Sequence, residues 1–75
     1  MNNTRRKEVK SIIEALLEIK ARIDIVADEE QDAFDNLPEG LQCSMRGEDM
    51  EEAASNLADA SDTITEALDL LEEVT

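Results

Sequence analysis

The spacing of apolar residues is the strongest constraint on this chain. From Val9 they recur at steps of three and four: Val9, Ile12, Leu16, Ile19, Ile23 and Val26, with Glu30 and Ala33 continuing the count. A second run repeats it through Met50, Ala53, Leu57, Ala60, Ile64, Ala67, Leu71 and Val74. Strands alternate with period two, so these runs read as two amphipathic helices with heptad seams. Ile13 and Leu17 widen the first seam, and Ala54, Ser61 and Leu68 flank the second. Between the runs, Asn36 and Pro38 stop the first helix, because proline disfavours helical geometry in the residue before it. The pattern predicts an all-α, antiparallel two-helix hairpin as a single domain over residues 1–75. Helix 1 spans about 4–35, the turn 36–44 and helix 2 about 45–74.

Local signals agree with these limits. Thr4 is a reasonable N-cap for the first helix and Ser44 a good one for the second. Glu48, Asp49, Glu51 and Glu52 suit the positive end of helix 2, whereas Arg5, Arg6 and Lys7 oppose the dipole of helix 1. Pro38 is placed to start one short helical turn, with Leu37 and Leu41 folding back onto the bundle end. Two helices of about 30 residues are each about 45 Å long, and alone they leave their flanking seams wet. The expectation is therefore a homodimer or higher homo-oligomer, with hairpins paired into a four-helix bundle through Ile13, Leu17, Ala54, Ser61 and Leu68.

Charge narrows the function classes. Twenty acids face seven bases, a formal net charge of −13. Residues 1–22 hold six bases and three acids, a balance of +3, whereas residues 23–75 hold seventeen acids against Arg46, a balance of −16. Such a surface repels nucleic acid and anionic membranes and attracts basic protein surfaces. No apolar run approaches the length of a membrane span and the N-terminus shows no signal-peptide core, so a cytoplasmic location is expected. A lone Cys43 fits a reducing compartment.

Chemistry-bearing constellations are missing. The chain has no histidine, and Phe34 is its sole aromatic residue. Cys43 therefore lacks the usual base of a nucleophile, and carboxylate di-metal sites lack their Glu-x-x-His motif. The expectation is no catalytic residue, no metal and no cofactor. The basic cluster Arg5, Arg6, Lys7 and Lys10 is expected to pair with Asp69, Glu72 and Glu73 across the hairpin; alternatively, an oligomer gathers several clusters around an anionic small molecule. Glu30, on the seam, is expected to pair with Arg46 or to mark a frayed hairpin. Met45 and Met50 read as packing residues.

The run from Glu29 to Gln42 around the turn, followed by Ser44, Arg46-Gly47-Glu48 and Met50-Glu51-Glu52-Ala53, resembles a family of small acidic helical proteins encoded by phages and prophages of Gram-positive bacteria. The resemblance covers nearly the whole chain, and the turn is its specific part. It implies a mobile-element origin, location in the host cytoplasm and no defined activity; Gly40 and Cys43 look like departures from a more polar turn. Joined to the charge, it favours an inhibitor or modulator, anti-defence or DNA-mimic-like, that occupies a basic surface of a host protein. The expected partner-binding residues are Asp28, Glu29, Asp32, Phe34, Asp35, Leu37, Glu39 and Leu41. The alternatives are a structural bundle module and an oligomeric sponge for an anionic nucleotide signal.

Overall fold

The computed structural model describes all of residues 1–75. It is all-helical: α1 runs over Asn3–Asp35, α2 is a single turn over Glu39–Gln42, and α3 runs over Met45–Glu73. The long helices pack antiparallel into a rod of 58 × 15 × 12 Å. The cap of α1 is Asn2 rather than Thr4: the Asn2 side chain accepts from the Arg5 backbone N–H at 2.8 Å. Ser44 caps α3 as expected, its hydroxyl accepting from the Gly47 N–H at 3.3 Å. Pro38 starts α2, and its carbonyl accepts from the N–H groups of Leu41 (2.8 Å) and Gln42 (3.1 Å). Gln42 then ties the turn to α1, donating its side-chain amide to the Phe34 carbonyl at 3.2 Å. Leu37 is half-buried, but Leu41 remains half-exposed, so the turn is a partial plug.

Burial shows which residues make the hairpin. Only Gly47, Ala54, Ser61 and Leu68 are fully buried, one per heptad along α3. Next to them Met50, Leu57, Ile64 and Leu71 are half-buried, as are Ala53 and Ala67 on the flank of the seam. On α1 the half-buried positions are Val9, Ile13, Leu16, Lys20, Ile23, Ala27, Glu30 and Phe34, again an unbroken heptad pattern, with Asp24 beside it. The seam therefore differs from the expected one. Half of it, Val9, Leu16, Ile23 and Glu30 with Met50, Leu57, Ile64 and Leu71, is common to both. The other half is the flanking stripe; of the remaining expected positions Ala53 and Ala67 stay half-buried, while Ile12, Ile19 and Val26 stand 40%, 43% and 47% exposed.

The residues expected at an oligomer interface are mostly engaged within the single hairpin. Ala54, Ser61 and Leu68, together with half-buried Ile13, lie in the hairpin, where α3 offers small side chains that let α1 approach closely. Of that group, Leu17 alone is left exposed.

Candidate functional site

A polar bridge fixes one side of the hairpin. Lys20 donates to Asp24 and to the Ser61 hydroxyl, both at 3.0 Å, and the Ser61 hydroxyl donates to the other Asp24 oxygen. Ser61, 2% exposed, is the deepest polar residue, and no buried side-chain polar atom lacks a partner. The Ser61 hydrogen bond first, and the Lys20 hydrogen bond and charge after it, hold the Asp24 carboxyl below its ordinary value against desolvation. A polar layer of this kind, with Ser61 buried at its centre, fixes register, because sliding α3 by a heptad would separate Ser61 from both Lys20 and Asp24.

Lys20–Asp24 is also the sole ion pair in the molecule. Two expectations fail here. Arg5, Arg6, Lys7 and Lys10 have no acid within 4.0 Å, although Asp69, Glu72 and Glu73 lie at the same end of the rod; Glu30 likewise has no ion pair with Arg46. All four basic residues at the open end are exposed, so solvating them separately costs little.

Nineteen of the twenty acids thus have no cationic partner. Asp28, Glu29, Asp32 and Asp35 line the outside of α1 near the turn, exposed, with Asp35 accepting from the Gln31 amide at 3.0 Å. Glu39 is exposed on α2, while Phe34 and Leu37 are half-buried against the bundle end. The residues expected to meet a partner therefore divide into an exposed acidic set with Leu41 and a packed pair.

A second acidic surface, not singled out from the sequence, runs along α3. Glu52, Asp59, Glu66 and Glu73 recur every seven residues on its outward face, with Glu48, Asp62 and Asp69 beside them, all exposed. Successive members of the first set are about 10.5 Å apart along the helix. An open groove near the start of α3 is lined by Glu48, Glu51, Glu52, Ser55 and Asn56, with no hydrophobic residue. The signal is present in the sequence as a seven-residue repeat of acids, set among other acids that obscure it.

The other side of the hairpin is apolar. Ile12, Ile19, Val26 and Ala33 of α1 flank the seam on the same side as Ala53, Ala60, Ala67 and Val74 of α3, as antiparallel heptads require. A shallow groove lined by Ile19, Arg22, Ile23, Val26 and Leu57 runs between them. No three carboxylates or thiols converge to hold a metal ion, and no helix is long and apolar enough to cross a membrane. The chain matches no family model, no curated protein and no solved structure.

Proposed function

We propose that the protein is a binding module that presents rigidly mounted carboxylates to a basic surface of a host protein, as an inhibitor or modulator of the anti-defence or DNA-mimic kind. The single observation behind this reading is the set of nineteen carboxylates without a counter-ion, carried by helices of 33 and 29 residues. Charges fixed on stiff rods lose little entropy on meeting a basic cleft and steer its approach over long range. The α3 face, regular over four heptads, is the principal contact, and the acidic turn extends it.

The test is capture of a partner from phage-infected cells with the tagged protein, followed by competition. A nucleic-acid fragment should displace the partner, and raising salt should weaken the complex. A Glu52→Gln, Asp59→Asn, Glu66→Gln variant that keeps its helicity should lose it. A partner held equally well by that variant, or one indifferent to salt, refutes the reading.

A homodimeric four-helix bundle completes the architecture in this proposal. Two buried hydrophobic residues, Ala54 and Leu68, are a small core for 75 residues, and small domains commonly gain stability by association.

A second reading rests on a different observation, the four unpaired cations Arg5, Arg6, Lys7 and Lys10 at the open end. They support a sponge that sequesters an anionic nucleotide. Calorimetry with cyclic dinucleotides tests it, and an absence of heat at millimolar ligand ends it.

A further inference from the structure

The apolar side of the hairpin is unpartnered, and its occupant can be argued from charge and area. We propose that it docks a second copy of this chain, with the two hairpins antiparallel so that their turns lie at opposite ends of the bundle. The proposal rests on the bundle reading above and adds the face and the orientation.

The face comes first. Ile12, Ile19 and Val26 form a stripe of branched side chains, one per heptad, each at least 40% exposed. The facing stripe on α3 is mostly alanine, so a visiting helix can come close to that helix while the larger α1 residues fill the space beside it. Arg22 is the one charged residue lining the groove, and a cation there is welcome to a chain with a net charge of −13. The opposite side is unsuited to a second copy, since the polar bridge of Lys20, Asp24 and Ser61 occupies it. Area does not forbid a pair: the whole broad side of the rod, 58 × 15 Å, sets an upper bound of about 1,700 Å² for the two copies together, which reaches the range of a specific interface.

Orientation follows from the uneven charge of the rod. Residues 23–60, around the turn, carry twelve acids against Arg46, a balance of −11. Residues 1–22 and 61–75, at the open end, together hold eight acids and six bases, a balance of −2. A parallel pair would bring two ends of −11 side by side. The antiparallel pair sets each strongly acidic end against a nearly balanced one, and brings Arg5, Arg6, Lys7 and Lys10 toward the partner's acidic turn. At ordinary ionic strength screening acts over about 10 Å, so charges on adjacent helices still feel one another while the far ends do not.

The native cysteine reads the orientation. Cys43 is exposed and lies at the turn end, so a spin label there reports the distance between turns without any substitution. The antiparallel pair gives about 50 Å, the length of a 33-residue helix. A parallel pair gives less than about 20 Å, because neighbouring helices sit about 10 Å apart. Light scattering on the same sample should show a dimer, and a monomer at micromolar concentration overturns both this inference and the bundle reading. A dimer with the short distance leaves the bundle standing and sinks the orientation. Ile19→Glu should weaken the dimer about 100-fold, since two carboxylates enter the interface, with the helical signal retained. Leu17→Glu, on the bridge side, should not. The reverse result, with Leu17→Glu dissociating the pair and Ile19→Glu sparing it, assigns the interface to the other side.

Discussion

Replacing Gly47 with alanine should destabilise the protein, against the usual sign for a glycine within a helix. Gly47 lies in the first turn of α3 with ordinary helical backbone, for no residue has positive φ, so conformation alone would welcome alanine. Space is the obstacle. A Cβ at Gly47 would stand 2.5 Å from the Leu41 carbonyl oxygen and 2.6 Å from the Gln42 carbonyl carbon, whereas ordinary contacts begin at 3.4 Å. Both neighbours are backbone of α2, which is tied to Pro38 on one side and to Phe34 through the Gln42 amide on the other. Relief requires moving the whole turn. Overpacking of this kind costs about 1–3 kcal/mol, and the better helix propensity of alanine returns up to about 1 kcal/mol. The net loss should reach about 2 kcal/mol. Gly40 is the control, because its Cβ would meet nothing within 4 Å and α2 is helical there. Gly40→Ala should be neutral or gain about 0.4–1 kcal/mol through the unfolded state. Urea unfolding followed by circular dichroism, at one fixed protein concentration, measures both. Midpoints shifted in the same direction by the two substitutions would refute the steric reasoning, as would Gly47→Ala proteins with an undisturbed turn and unchanged stability.

Other outcomes are expected on the same grounds. Leu68→Ala should lower stability by about 2–4 kcal/mol and Ala54→Leu by about 1–3 kcal/mol in urea titrations, because both sites lie within the hairpin; dissociation of a dimer without loss of hairpin stability would return them to the outer surface. Asp24 has a folded-state pKa below its ordinary value of 3.8, so its contribution is complete above that pH and fades as pH falls through the lowered value. The stability difference between the native protein and Asp24→Asn should accordingly stay constant from neutral pH to about pH 5 and close in stronger acid; a gap that widens on acidification contradicts the bridge. Added salt should raise the melting temperature, since repulsion within a net charge of −13 outweighs one ion pair. A melting temperature that falls with salt would mean that attractive pairs dominate.

The acidic surface was legible early because carboxylates without nearby bases are a matter of counting. Its most regular part was not. Glu52, Asp59, Glu66 and Glu73 form a single outward face only once the α3 seam is located. The charge pairing expected at the open end failed for a similar reason. Proximity of Arg5 to Lys10 and Asp69 to Glu73 follows from any antiparallel hairpin, but exposed side chains at that separation gain too little from pairing to hold one geometry.

By itself the sequence determined two long helices, their near-exact limits, a Pro38-initiated turn, the Ser44 cap and the direction of the second helix against the first. These depend on periodicity and backbone chemistry within a few residues. Tertiary structure decided which face turns inward. Apolar residues lie on both sides of the shared stripe from Val9 to Glu30 and from Met50 to Leu71, so either flank completes a heptad seam. The choice was made across the chain, where Ser61 meets both Lys20 and Asp24. Such contacts join residues about 40 positions apart, as in the Lys20–Ser61 hydrogen bond, and no local pattern records them.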